Sequence, residues 1–258
     1  MAGVSAIGQA LLRWASILGV LALWQGFAEA HVVSAFLLPA FSTVVVRLYH
    51  DVVSGDVILG IALTLYRAFA GFALAAVAGI AIGVMIARVP PMRWFFDPLV
   101  SIGLPMPKIA FLPVFILWFG VFDASKILMV AFSAVFPVVV SAWAAADGVE
   151  HVLLWSALSL GASRAQLLWE IVLPSSLPQI FTGLQVAMPI ALIVEIISEM
   201  AMGGEGLGGS IMTDMRFADS PGVFAGILAI AIVGAGLVRA MELIRRRLLV
   251  WHAEASAA

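Results

Sequence analysis

Residues 151–178 read HVLLWSALSLGASRAQLLWEIVLPSSLP, and the reading of this stretch decides the rest. Two helical segments flank Gly161. Leu153, Ala157 and Leu160 give the first an apolar stripe, and Ala165, Leu168 and Trp169 give the second one. A glycine between them permits a sharp turn, because it has no Cβ. Pro174 is expected to end the second helix or kink it into the apolar run that follows. The stretch carries few charges for a connector, so its apolar faces need protein to cover them.

The sequence on either side is far more apolar. Hydrophobic residues make up 64% of the 258 and charged residues 11%, against about 25% charge in a soluble domain. Mean hydropathy is +1.15. Such a surface belongs in lipid, which a helix crosses in about 20 residues. The few charges bracket six apolar runs, 14–28, 68–87, 98–122, 127–146, 171–194 and 220–238, the third interrupted by Lys108. The expected fold is therefore an all-α membrane protein with six transmembrane helices. It forms one domain over 1–258, with its core at 60–247, the connecting loop at 147–170 and a disordered tail at 252–258. The N-terminal run lacks a signal-peptide pattern and reads as a retained span.

Basic residues set the orientation. With the N-terminus in the cytoplasm, Arg13, Arg88, Arg93, Arg164, Arg245, Arg246 and Arg247 lie inside. Arg47, Lys126 and Arg216 lie outside, and Arg67, Lys108 and Arg239 fall in or at the ends of spans. Both termini are then cytoplasmic, and the 151–178 stretch lies in the cytosol between spans four and five. Segment 31–58 is external. Val44, Val45, Leu48 and Val52 recur in it at helical spacing, which leaves two readings, a helix lying flat at the interface and an ordinary loop.

Gly161 is followed by nine residues, Ile171, one residue, Leu173 and Pro174. This spacing resembles the cytoplasmic loop signature of ABC importer permeases: a Glu-Ala-Ala triplet, a glycine four residues after its last alanine, then Ile-x-Leu-Pro. The triplet positions here hold Trp155, Ser156 and Ala157, so the acid is missing and the contact it makes is more apolar. Further pieces resemble the branch of that family that carries nitrate, taurine, other sulfonates and some vitamin precursors. They are Leu38-Pro39 with Ser42 and Val45; Tyr66 to Phe72; Asp97-Pro98-Leu99, Pro107 to Pro113 and Ile116 to Gly120; and Ser198-Glu199-Met200 with Gly206-Leu207-Gly208.

The resemblance implies a type I ABC importer (MetI-like) permease in a bacterial inner membrane. It implies a homodimer, two cytoplasmic ATPase subunits, an external solute-binding protein and a surrounding lipid bilayer. It makes the loop a coupling helix docked on the ATPase, with Trp155, Ser156, Ala157, Leu160, Gly161, Ala162, Ile171, Leu173 and Pro174 as the candidate coupling residues. The substrate implied is nitrate-, taurine- or sulfonate-like, with a neutral or cationic pyrimidine or flavin precursor as the alternative.

The residues themselves exclude several chemistries. There is no cysteine, so no disulfide or thiolate metal site forms, and a net charge of −2 gives no basic surface for nucleic acid. A P-loop needs Gly-Lys, yet the only lysines, Lys108 and Lys126, follow Pro107 and Ser125. No catalytic or metal site is expected, and ATP with magnesium belongs on a partner subunit. Residues 204–209 fit G-x-G-x-x-G but follow a membrane helix, and read better as a flexible external turn. Ionisable residues inside a membrane mark pathways. Glu195 and Glu199, four apart on one helix face, either line the external gate or hydrogen-bond to neighbouring helices. Lys108, with Pro107 and Pro113 breaking the helix around it, is a candidate cavity residue. Arg67 is a candidate partner of Asp56 or Glu199, and Gly79-x-x-x-Gly83 a packing face. A secondary transporter would need Glu195 and Glu199 as ion sites, but leaves the apolar loop unexplained. A membrane scaffold leaves both unexplained.

Overall fold

The computed structural model describes residues 6–249, the first nine by backbone only; the expected tail at 252–258 lies outside the described residues. All elements among these residues are helical. Helix α1 spans Ala6–Glu29, α2 Phe41–Ser54, α3 Asp56–Arg88 and α4 Pro90–Gly103. A 3-10 turn at Lys108–Phe111 leads into α5, Leu112–Phe119. Then come α6 Asp123–Asp147, α7 His151–Ser159, α8 Arg164–Gln166, a π-helical stretch Leu167–Val172, α9 Leu173–Met202, α10 Leu207–Arg216 and α11 Ser220–Leu248.

Among the described residues four helical stretches are long and apolar enough to cross a membrane: Asp56–Arg88, Asp123–Asp147, Arg164–Met202 and Ser220–Leu248. A fifth crossing is the pair Pro90–Gly103 and Lys108–Phe119, bent by 96°. Ala15–Glu29 is a shorter apolar helix, so a six-span count depends on α1. The bend falls where the 98–122 run is expected to be broken around Lys108. Pro105, Pro107 and Pro113 lack the N–H groups that would carry α4 through to α5.

Of the charges that bracketed the runs, Glu29, Arg88 and Asp147 end helices and Asp123 begins one, but others do not. Arg67 lies inside α3, and Glu195 and Glu199 lie inside α9, because each is buried within the bundle rather than held at its rim.

Small residues let α3, α6 and α9 close on one another. A Cβ on Gly79 would sit 2.7 Å from Val138, one on Gly83 2.6 Å from the Val139 carbonyl, and one on Gly183 2.3 Å from Ser141. The Gly79–Gly83 face therefore packs α3 against α6, as small-residue faces do in membranes. Ala75, Met129, Val130, Ala134, Val138, Ala187 and Ala191 fill the space between the three helices. Large apolar side chains such as Leu23, Val77, Leu117 and Ile232 point outward, as lipid-facing residues should.

The segment read as a flat helix or an ordinary loop is α2. Val44 is buried and Leu48 half-buried, whereas Val45 and Val52 are exposed, so the four residues divide between two faces. Arg47 ties α2 to the far end of the chain, pairing with Asp51, with Asp214 at 3.6 Å and with Asp219. Trp24 on α1 donates to the Pro39 carbonyl at 2.9 Å and lies against Phe41 and Phe224.

Candidate functional site

Two features stand at opposite ends of α9, a 30-residue helix about 45 Å long at 1.5 Å per residue. One is the elbow between α7 and α8. The other is a buried charged cluster where α9 meets α10.

The elbow is built by helix-capping chemistry. Gly161 has φ +87°, a conformation open to glycine at no steric cost. Its N–H donates to the Leu158 carbonyl at 3.0 Å and the Ala162 N–H to the Ala157 carbonyl at 3.0 Å. These two bonds form a Schellman motif, which explains why Ala157, Gly161 and Ala162 act as one unit. Ser163 then caps the next helix. The Gln166 N–H donates to Ser163 Oγ at 3.3 Å, and the Ser163 N–H donates to Gln166 Oε1 at 2.9 Å. This capping box is visible in the sequence as S-x-x-Q at 163–166.

The inward face of the elbow differs from the expected stripes. Leu154 and Leu168 pack with Ile171 and Leu173 onto Val84, Ala146, Val149 and Val172. Leu153, Leu160, Ala165 and Trp169 are exposed instead, and only Ala157 and Leu168 of the expected stripes turn even half inward. The apolar run is nearly continuous, so a helix through it has no unique apolar face until its neighbours choose one.

Trp155 is 64% exposed and stacked on His151, Leu160 is 89% exposed, and Ser156 is also exposed. Pro174 does not end the helix: Arg164–Met202 runs as one stretch. The missing N–H of Pro174 leaves a carbonyl of the preceding turn without its helical donor, and the winding directly before it is π-helical, Leu167–Val172. The elbow therefore continues into α9 without a hinge loop.

At the other end, Glu199 is fully buried. It accepts from Thr64 Oγ1 at 2.9 Å, Arg67 Nη1 at 3.0 Å and the Gly208 N–H at 2.9 Å. Arg67 also donates through Nε to Asp123 at 2.8 Å and through Nη1 to the Glu205 carbonyl at 2.7 Å. The Leu207 N–H donates to Thr64 Oγ1 at 3.0 Å. Of the two partners expected for Arg67, Glu199 is found and Asp56 is not; Asp56 instead accepts from Ser54.

The glycine-rich 204–209 segment is tied down rather than flexible. A Cβ on Gly206 would lie 2.0 Å from Glu199 Oε1 and one on Gly208 2.4 Å from the Ile196 carbonyl. Glycine is needed here so that backbone N–H groups can reach the carboxylate.

Glu195, one turn earlier on α9, is also fully buried, and neither of its oxygens meets a hydrogen-bond donor. Neither carboxylate faces open space, and Glu199 hydrogen-bonds to neighbouring helices, joining α3, α9 and α10 as a clasp. Lys126, read from sequence as an external loop charge, is buried and donates to the Gly203 carbonyl at 2.9 Å. Thr64, Asp123 and Lys126 belong to this cluster and carried no motif.

Lys108 is remote from both features. Its ammonium donates to the Leu104 carbonyl and lies 5.0 Å from the centre of the Phe136 ring, so no carboxylate meets it. Pro107 precedes the 3-10 turn and Pro113 stands in the first turn of α5. Among the described residues no group of acidic and histidine side chains could hold a metal.

The described residues form a helix bundle with an exposed, capped elbow leading into an unbroken span. Residues 79–250 match the family described as binding-protein-dependent transport system inner membrane component, and the chain belongs to that family. It is accordingly a multi-pass inner-membrane component, and its relatives are transport permeases rather than enzymes. It is 31% identical over 251 residues to the taurine transport system permease protein TauC of Escherichia coli (strain K12), covering 95% of this chain and 91% of that one. It is 33% identical over 233 residues to the Bacillus subtilis (strain 168) permease SsuC, named for aliphatic sulfonates transport, covering 90% and 84%. An inward-facing structure of the MetNI methionine ABC transporter matches with a TM-score of 0.59 at 17% identity, over 74% of this chain and 98% of that one, and shares the fold.

Proposed function

We propose that this chain is the permease of an ATP-driven importer for a small sulfonate, working as a homodimer with two cytoplasmic ATPase subunits and an external solute-binding protein. The observation that carries the reading is the elbow. Trp155 and Leu160 stand in the open on a segment locked by a Schellman motif and a capping box, and that segment runs unbroken into α9. An apolar surface held this firmly is a docking surface. Its partner groove is apolar, since no acid stands at 155–157.

In this reading α1 and the bent α4–α5 pair complete six crossings, with both termini and the elbow in the cytoplasm. The single permease domain binds no nucleotide, and ATP and magnesium act on the ATPase. Closure of the ATPase dimer draws the two elbows together, and each pull passes along α8 and the π-helical stretch into α9. The far end of α9 is clasped through Glu199 to Thr64 and Arg67 on α3 and to Gly208 on α10. A tilt of α9 therefore moves α3 and α10 with it and opens the external side. The bend around Lys108, with Pro107 and Pro113, lines the pathway, as broken helices do when they border a cavity. The named substrates of TauC and SsuC support the sulfonate assignment.

The test is co-purification with the ATPase encoded beside this gene. Trp155→Asp and Leu160→Asp are expected to lose the ATPase and sulfonate uptake while still inserting. Full co-purification of both variants would contradict the reading.

A further inference from the structure

Beside the α4–α5 bend lies a cavity of about 360 Å³, at the small end of the roughly 300–1,000 Å³ that ligand sites span. Its wall is apolar throughout, formed by Ile82 on α3, Phe96 and Val100 on α4, Met106 in the bend, and Val135 and Phe136 on α6. Leu99 and Ile102, 53% and 68% exposed, stand at its open side. Phe136 seals one wall because Gly103 has no Cβ; one placed there would lie 2.0 Å from the ring. The Lys108 ammonium lies 5.0 Å from the centre of that ring. Of its three donors the structure engages one, with the Leu104 carbonyl.

We propose that this cavity is a transient site for the alkyl chain of an organic anion, with the Lys108 ammonium meeting the anionic head. The proposal rests on the transport reading above and narrows its substrate class. An apolar wall, with one cation outside the lining and 5.0 Å from the Phe136 ring centre, matches an alkyl chain whose sulfonate stays at the rim. An aminosulfonate fits less well. No carboxylate lines the cavity, and its ammonium would be buried without a partner, which is costly. The position agrees with the general rule that broken membrane helices are tolerated where they line a cavity. The small volume suits one short chain rather than a two-chain lipid.

The experiment measures equilibrium binding of butane-, hexane- and octanesulfonate, hexanol and 6-aminohexanesulfonate to the full chain in phosphatidylcholine nanodiscs. Binding is expected to tighten about four-fold per added methylene, the worth of burying one CH₂. Hexanesulfonate should bind tighter than both hexanol and 6-aminohexanesulfonate. Lys108→Met is expected to erase the preference for sulfonate over alcohol while keeping the chain-length dependence. Leu99→Trp, across the open side, is expected to flatten that dependence.

Binding that ignores chain length overturns the proposal, as does a sulfonate preference that survives Lys108→Met. A site emptied by phosphatidylglycerol in the disc, with no length dependence, belongs to lipid and also overturns it. So does binding that appears only when the permease dimer is dissociated, which assigns the groove to a second copy. No ATPase or nucleotide is present, so failure here leaves the elbow reading intact, and an elbow that fails to dock leaves the chain-length series readable.

Discussion

Nη1 of Arg67 lies 3.0 Å from Oε1 of Glu199, joining α3 to α9 across 132 residues of sequence, and both side chains are buried. A buried ion pair gains little over a well-packed apolar pair, but breaking one strands a charge, at about 3–5 kcal/mol. Arg67→Met is therefore expected to lower thermal stability in detergent by that order, and Arg67→Met with Glu199→Met to recover part of it. Asp123, the second partner of Arg67, is half exposed, so Asp123→Asn should cost less than about 1 kcal/mol. A stable Arg67→Met single variant would show that the pair is not the clasp described.

Glycines on α3 and α1 should behave oppositely. A Cβ on Gly83 meets the Val139 carbonyl at 2.6 Å and Ala142 Cβ at 2.7 Å, whereas one on Gly26 meets nothing within 4 Å. Gly83→Ala forces α3 away from α6 and is expected to cost about 1–3 kcal/mol, as overpacking does. Gly26→Ala relieves a helix of its glycine and should be neutral or stabilising by up to about 1 kcal/mol. Thermal unfolding of the two variants side by side checks both signs.

The α2–α10–α11 contact carries a pH dependence. Burial holds Asp214 above the ordinary aspartate range, opposed by Arg47 and reinforced by Asp219 and Asp51. A carboxyl whose folded pKa is raised binds its proton more tightly in the folded state. Its contribution to stability is thus full below the unfolded value, about 3.9, and is lost as pH rises through the folded one. Asp214→Asn cannot lose that contribution. The variant is expected to gain on the wild type as pH rises from about 3.9, and a difference independent of pH would refute the assignment.

Gly161→Pro removes both the positive φ and the N–H that bonds Leu158, since proline holds φ near −65°. It should abolish stimulation of the ATPase while leaving membrane insertion intact. A bulky residue at Ala157, half-buried beneath the turn, should do the same. Normal coupling in either variant would break the mechanical link drawn here.

The helical class, the bend at Pro105–Pro113 and the glycine elbow were legible because each rests on local chemistry: hydropathy, missing N–H groups and a positive φ. The span edges were less so. A charge marks an edge only when it seeks water, and Arg67, Lys126 and Glu199 find partners inside the bundle instead. The Arg67–Glu199 and Lys126–Gly203 contacts span 132 and 77 residues, so no window along the chain reveals them. The same limit hid which way the elbow faces, because Leu154 turns inward only in answer to Val84 and Ala146 on other helices.

The central claim is that the elbow is gripped by a nucleotide-driven partner, and its most direct test is a cross-link. The chain has no cysteine, so Leu160→Cys introduces a single thiol at the most exposed point of the elbow. In the assembled transporter it is expected to cross-link to cysteines placed along the apolar groove of the ATPase, with a yield that changes when ATP closes the ATPase dimer. A thiol at 160 that reacts freely with solvent reagents in the assembled complex, and cross-links to no position on the ATPase with or without ATP, would contradict the account.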